Sequence, residues 1–584
     1  MDAHTQEFLE SAKAGKSVYI TEIRRRYLTM KNEESFTAPL LLTTVDGAER
    51  LFMLRLPRFA RYSDEAAKFV RSFFLAEVYN ILSSLGGRRI RLANPDGARE
   101  ADHLIDACIE EFGVGLPRHK RRGYGRSINV IERMLRALHP NESERNLHFK
   151  FSTIDKLPGK IQAPNLDTAA AAQVFTNASG DLEGKAILGI DIGGTDIKLA
   201  LAIDGTLVCF KEYDWFPASF DKIDQLIDPV VGLVKAMADE AAARTGISPF
   251  RFDAIGMCFP DVVVNNKIVG GEVFKTRGIR DSLGSGYDKE FARLTDLDMI
   301  LAPFVKDDGC VGIVNDGPMA AFTAGVETAV KSSEAVTNGV FAYTLGTELG
   351  TGYVTSAGAI PDIPLEVYNF IIDLGSWPET AFEPDDLRSI NNFNTRLPGT
   401  LQKFACQSGV FRLALKYLPE KRPELIEAMK ERGFVVEMRS RDDVGYYVPT
   451  APKDMRKPFL EYMMSLVDDD GDPEIQRIFE EIGVALAVTG EEIDRILEPT
   501  TKRRMLFGRL VKRPSCFQLM KKGAKTINPQ IDLAVADDGI AETPLMKTLA
   551  ESKEFTVAQF AQAVGAIHYG NYLLNKQCEV PSEK

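Results

Sequence analysis

Two apolar runs, each broken by glycines and a threonine, constrain this chain more than any other feature. They are AILGIDIGGTDIKLALAI at 186–203 and GVFAYTLGTELGTGYVTSAG at 339–358. Near-continuous apolar stretches of this length read as buried strands. Glycines between them let the backbone turn tightly, approach a ligand closely and expose its amides. In the first turn, Gly193, Gly194 and the Thr195 hydroxyl can donate to phosphate oxygens. Asp191, at the end of a buried strand, is placed to hold a magnesium ion through water. The second turn, Leu345-Gly346-Thr347-Glu348, is no Walker A loop, because no Gly-Lys-Ser/Thr follows it. Taken singly, each is a plain hairpin turn; taken together, they can clamp opposite sides of a triphosphate.

The flanking pattern repeats. IKLALAI and TLVCFKEY complete a three-strand meander, and an amphipathic helix is predicted over about 221–245. FDAIGMCFP reads as a further strand, and VGIVNDGPMAAFTAGVE as strand, turn and helix. Helices are predicted near 472–497, 543–551 and 555–575, while 375–470 offers no motif. Strand-turn-strand followed by helices, twice, implies a duplicated α/β lobe. Between the turns lies Asn315-Asp316-Gly317-Pro318. Asp316 there is either a helix cap, with Pro318 in the first turn, or a carboxylate able to take a proton from a hydroxyl. Glu366, in IPLEVYNFIIDLG, reads on its own as a solvated glutamate at a strand edge.

The first 180 residues have a different texture. They hold 27 basic and 22 acidic residues, a net of +5, against 44 and 61, a net of −17, for the remainder. Such asymmetry marks two kinds of unit. A hairpin is predicted around Asp46-Gly47 and a helix over 64–85. Two basic clusters, Arg88 to Arg91 and Arg118 to Arg122, are either a solvated surface or a seat for phosphates or nucleic acid. The small, polar stretch 166–184 reads as a linker. No pair among the seven cysteines stands at CxxC spacing, which argues against a zinc site. No run approaches the ~20 apolar residues of a membrane span, and the first residues contain no apolar signal core. The expected location is the cytoplasm.

The order DIGGT, GMCFPD (256–261), NDGPMAAFTAG, LGTELGTG, LEVYNFIID resembles that of the ROK family (repressors, uncharacterised proteins and sugar kinases). The resemblance is clear over 185–375 and weaker through FEEIGVALAVTGEEIDRIL, RRMLFGRLV and AQAVGAIHYG. It implies a two-lobed actin-like ATPase fold, ribonuclease H-like, with a separate N-terminal α+β extension. The implied division is 1–180 for the extension, 181–330 for the small lobe and 331–584 for the large lobe. By the same resemblance Asp316 is the general base, and Asn315 and Glu366 are partners of sugar hydroxyls. Gly193, Gly194, Thr195, Gly346 and Thr347 contact phosphate, Lys198 lies near it, Gly508 lies beside the nucleotide base, and Asp191 is the magnesium-side carboxylate.

The implied activity is transfer of the ATP γ-phosphate, with Mg2+, to a sugar or polyol hydroxyl. Partners would then be a sugar and a nucleotide, with homo-oligomer formation left open. The alternatives are a sugar-responsive regulator that meets nucleic acid through residues 1–180, or a non-catalytic sugar-binding protein. The chain departs from the family pattern in three places. Glu-x-Gly-His is replaced by Glu366-Val367-Tyr368-Asn369, so Asn369 stands in for the sugar-contacting histidine and Tyr368 narrows the pocket. The family's zinc-binding cysteines are absent, so no structural zinc is expected. Glu348 and, less strongly, Asp196 place acids beside the phosphate turns.

Overall fold

The computed structural model describes residues 1–94, 97, 99–158, 161, 169–270, 276–346, 349–376, 382–438, 445–469, 471–536 and 540–579. The chain begins with an α+β unit. Its sheet has the order β2-β1-β3-β4, formed by β1 (Ser35–Thr43), β2 (Glu49–Pro57), β3 (Arg89–Ala93) and β4 (Lys150–Ile154). The hairpin closes around Asp46-Gly47 as its sequence dictates, with the Thr44 amide donating to the Ala48 carbonyl at 2.8 Å. Three of the unit's helices bear on the site: α1 (Ile20–Leu28), α2 (Asp64–Leu85) and α3 (Gly125–Leu138). Ser63 caps α2 by accepting from the Ala66 amide, and Gly86, at φ +66°, ends it.

Four arginines of the basic clusters pair with acids of the fold. Arg88 pairs with Glu142 at 2.8 Å, Arg121 with Glu132 at 2.9 Å, Arg118 with Asp288 at 3.1 Å, and Arg91 with Glu49. That part of the charge that suggested a nucleic-acid surface is paired within the fold, while Arg89, Lys120 and Arg122 are exposed. The unit is also joined firmly to the remainder of the chain. Its side chains share one continuous hydrophobic core with the second lobe. Arg24 on α1 and Arg495 both pair with Glu77 and Glu492, four buried or half-buried charges that sum to zero.

The segment expected to be a linker contains a helix, α4 (Ala171–Ser179). Ala171, Phe175 and Ala178 recur at i, i+4 and i+7, one helical face, and all three are buried. The small residues that resemble linker composition are there because the helix is packed closely: the Phe175 ring sits 5.6 Å from that of Phe322 and presses on Gly325.

Beyond it stand two related sheets. The first comprises β5 (Ala186–Ile192), β6 (Asp196–Ile203), β7 (Thr206–Asp214), β8 (Phe252–Phe259) and β9 (Val305–Asn315), in the order β9-β8-β5-β6-β7. β5, β6 and β7 form the antiparallel meander, and β8 and β9 run parallel to β5. That is ribonuclease H-like strand order. The second comprises β10 (Val340–Leu345), β11 (Leu349–Val354), β12 (Arg503–Phe507) and β13 (Asp532–Val535), in the order β11-β10-β12-β13. It repeats the scheme of an antiparallel hairpin followed by two parallel strands. The two-lobed, actin-like architecture follows from this repetition. The predicted helices are present as α5 (Asp224–Thr245), α6 (Asp316–Lys331), α8 (Pro473–Ile496) and α9 (Val557–Glu579), and α7 (Gln407–Lys421) fills part of the motif-free region. Among the described residues no helix is long and apolar enough to cross a membrane.

The last helix, α9, lies on the first sheet rather than the second. Gly189, Gly256 and Gly312 stand in register across β5, β8 and β9, with Ala200 beside Gly189 on β6. Along this row the sheet presents bare backbone. A β-carbon on Gly256 would lie 1.8 Å from the Ala566 carbonyl, and one on Gly189 1.9 Å from that of Ala563. The row seats α9 and fixes the strands whose carboxyl ends carry Asp191, Cys258 and Asn315.

Candidate functional site

The first turn is held by bonds to its own carbonyls and to Asp196. The Gly193 amide donates to the Asp196 carbonyl at 2.8 Å. Trp215 takes both neighbouring carbonyls: its indole Nε1 donates to Gly193 at 3.1 Å and its amide to Thr195 at 3.0 Å. Thr195 is exposed and its hydroxyl donates to Asp196 Oδ2 at 3.2 Å. Lys198 lies opposite Asp191 in the β5–β6 register, and its ammonium pairs with Asp196 and, at 3.7 Å, with Glu212. The acid at Asp196 is therefore compensated inside the turn, by the lysine expected near phosphate.

Asp191 is the electrostatically tense member. The Cys258 thiol on β8 donates to its Oδ1 at 2.9 Å. Burial pushes its carboxyl up to about 6; the Asp316 and Asp196 carboxylates add to the rise, while the thiol and Lys198 oppose it. Since the folded value exceeds the unfolded one, the native state binds this proton more tightly, and stability falls as pH climbs from about 4 through about 6. Asp191→Asn should therefore stabilise the ligand-free protein at pH 7.5, by on the order of 1–3 kcal/mol. The gain should fade towards pH 4.5. Unfolding midpoints of both proteins across this range check it.

Asn315 and Asp316 stand where β9 becomes α6. Asn315 is the helix cap: its Oδ1 accepts from the Gly317 amide at 3.0 Å and its Nδ2 donates to the Asp261 carbonyl at 2.6 Å. Asp316 is the first helical residue, its Oδ1 accepting from Gly317 at 2.9 Å. Its carboxylate therefore lies at the positive end of the helix. Backbone contact presses this end onto the strand that leaves the second turn. A β-carbon on Gly317 would meet the Thr351 carbonyl at 2.2 Å, and one on Gly352 the Gly317 carbonyl at 2.1 Å. The acid Asp261, 3% exposed, lies within this junction; its sequence signal is no more than its place at the end of GMCFPD.

At the second turn the Gly346 carbonyl accepts from the Gln407 amide at 3.1 Å, which brings the start of α7 to the turn. Thr347 and Glu348 lie outside the described residues. Gly508, at φ +99°, directly follows β12, and a β-carbon there would be 2.5 Å from the Leu345 carbonyl. Two glycines 162 positions apart, 346 and 508, are thus neighbours.

Glu366 is not at a strand edge. It is 6% exposed and opens a single 3-10 turn, Val367–Asn369. The Tyr368 hydroxyl donates to its Oε1 at 3.2 Å, and Asn369 Nδ2 lies 3.4 Å from Oε2. Asn392 donates to Asn369 at 3.1 Å, and Asn394 to the Tyr368 hydroxyl at 3.4 Å. Sequence reasoning missed these two asparagines, which lie in the motif-free stretch; their signal is the crowding of three asparagines into 391–394. A narrow cleft lined by Asn315, Pro318, Val262, Tyr353 and Leu365 joins this segment to the Asp316 corner.

No family model matches the chain, and no curated protein matches it. Solved structures do. A ROK family glucokinase from Streptomyces griseus, in complex with glucose and AMPPNP, is 15% identical with a TM-score of 0.37, over 66% of this chain and 98% of its own. A ROK hexokinase from Thermus thermophilus is 16% identical with a TM-score of 0.37, over 66% and 99%. A ROK family transcriptional regulator, a homologue of the E. coli MLC protein, is 13% identical with a TM-score of 0.34, over 67% and 80%. The chain is similar to these ROK-family proteins; its own architecture rests on the strand order of its two sheets.

Proposed function

We propose that this chain is an ATP-dependent kinase of a sugar or polyol hydroxyl. The observation that carries the reading is that Asp191 and the Asn315-Asp316 corner stand at the carboxyl ends of β5 and β9, on either side of β8, with the corner pressed by backbone contact onto β11 of the second sheet. Phosphoryl transfer asks a protein mainly for positioning and for neutralisation of charge. The residues fit a nucleotide with magnesium. Asp191 is held above its ordinary range by burial and neighbouring acids, a tension that a divalent cation would relieve. Among the described residues no cluster of three or more ligating side chains forms. When bound, that cation would neutralise the phosphates.

The chain's own residues account for the rest. With the Gly193 amide taken by the Asp196 carbonyl, the Gly194, Thr195 and Gly346 amides cradle phosphate oxygens, Asn315, Glu366 and Asn369 orient the acceptor, and Asp316 takes the proton from its reacting hydroxyl. Tyr368, already hydrogen-bonded to Glu366, narrows the acceptor side. The pairing of the basic clusters with internal acids weighs against the regulator reading.

The test is ADP release from ATP and Mg2+ against hexoses, amino sugars and polyols. Sugar-dependent release is expected, with an acceptor other than glucose best, because Tyr368 and Asn369 replace the smaller glycine and the histidine of the family pattern. A folded protein that binds sugar but releases no ADP with any acceptor would overturn the kinase reading.

A further inference from the structure

The segment that carries Glu366, Tyr368 and Asn369 is held mostly by the N-terminal unit. The carboxyl end of a helix leaves its last carbonyls without partners. On α2 those of Ser83 and Ser84 are taken by the segment: the Glu366 amide donates to Ser83 at 2.9 Å and the Leu365 amide to Ser84 at 3.2 Å. One turn earlier, Asn80, fully buried, clamps Ile371 from both sides. Its Oδ1 accepts from the Ile371 amide at 2.8 Å and its Nδ2 donates to the Ile371 carbonyl at 3.0 Å. The strand-like stretch before α1 completes the grip. The Ile20 amide donates to the Ile372 carbonyl at 3.0 Å, the Val18 amide to Asp373 Oδ1 at 2.8 Å, and the Leu374 amide to the Val18 carbonyl at 2.9 Å.

Leu365 adjoins Glu366 at φ +50°, a left-handed conformation a leucine keeps only when its surroundings impose it. Here the imposing contacts are those with the end of α2. Tyr79, the residue before Asn80, is also buried, packs on Tyr124 and Phe112 with ring centroids 5.4 and 6.4 Å away, and reaches Thr395 and the field of Glu366 with its hydroxyl.

We propose that the last two turns of α2 are part of the acceptor site, with Asn80 the positioning residue that fixes Glu366 and Asn369 in their working orientation. The proposal rests on the kinase reading only for the identity of what Glu366 meets. An N-terminal extension built in this way is the third wall of the site, continuous with the second lobe through their shared core.

The test uses the full chain with Asn80→Ala and, in parallel, Tyr79→Phe, which keeps the ring packing and removes only the hydroxyl. Loss of the two hydrogen bonds between Asn80 and Ile371, with the longer one to Glu492 at 3.5 Å, is expected to raise the acceptor KM about tenfold while the KM for ATP stays unchanged. Tyr79→Phe should raise the acceptor KM by a smaller factor, roughly threefold, again with the KM for ATP unchanged. Hydrogen exchange in Asn80→Ala should quicken at 365–374 and not in the first lobe. Unchanged acceptor KM and unchanged exchange at 365–374 would overturn the proposal, and so would equal losses for acceptor and ATP, the mark of a merely structural role. If Asn80→Ala does not fold, Tyr79→Phe decides by the same split. A wild-type protein without sugar-dependent turnover removes the kinase reading, and the exchange pattern then decides the positioning on its own.

Discussion

Asp316→Asn should lower acceptor-dependent ADP release by about 10²–10⁴-fold, the usual contribution of a positioned general base. The loss should fall on kcat, because the amide keeps the shape of the carboxylate and only the proton acceptor disappears. The variant should remain folded. Asn at the first helical position can still accept from the Gly317 amide, and the Asn315 cap is untouched. Losing a negative charge at a helix N-terminus costs about 0.3–1 kcal/mol. That cost is offset by relief of repulsion, since the Asp316 charge is among the causes that raise Asp191. Asp191 should then titrate lower than about 6 in the variant. An unfolding midpoint near that of the wild type, with turnover lost, assigns the proton to Asp316; retained turnover removes it from that role.

Sequence and structure agree where the information is local. The meander at 186–214, the hairpin at 339–354 and the strand-to-helix junction at Asn315-Asp316 are each written in one contiguous stretch: apolar runs, glycines and a proline. The cap itself lies one residue earlier than the sequence suggests: the sequence points to Asp316, whereas the structure gives the cap to Asn315 and makes Asp316 the first helical residue. Partnerships between distant residues were not legible. Asn80 and Ile371 are 291 positions apart, and nothing near Asn80 in the sequence announces a backbone to be clamped. The arginines of residues 88–122 looked free because their partners, Glu132, Glu142 and Asp288, are scattered along the chain. Glu366 looked solvated for a similar reason: its carboxylate is bonded by Tyr368 and Asn369, but what holds those two and the Glu366 backbone comes from 83, 392 and 394, separate by sequence and joined only by folding.

Gly256→Ala should be among the most destabilising single-methyl changes in the molecule, at ~3 kcal/mol or more. The added carbon would stand 1.8 Å from the Ala566 carbonyl, also crowding the Gly570 amide at 3.2 Å, and both are backbone. A side chain could rotate away; a helix carbonyl moves only if α9 moves. That helix is pinned at two further points of the same row, by Gly189 against Ala563 and by Gly312 against Tyr569 and Leu573. Relief at one point therefore means lifting α9 from β5, β8 and β9 together. The expected consequence reaches the site, because those strands end at Asp191, Cys258 and Asn315, so nucleotide binding should weaken along with the unfolding midpoint. Gly232→Ala is the control. Gly232 lies within α5 with nothing within 4 Å of its added carbon, and there alanine should stabilise by about 0.5–1 kcal/mol through helix propensity. Opposite signs from the same chemical change, measured side by side by thermal unfolding, would show that the seat of α9 depends on bare backbone. A Gly256→Ala protein as stable as the wild type would mean that the row merely accompanies the packing and does not determine it.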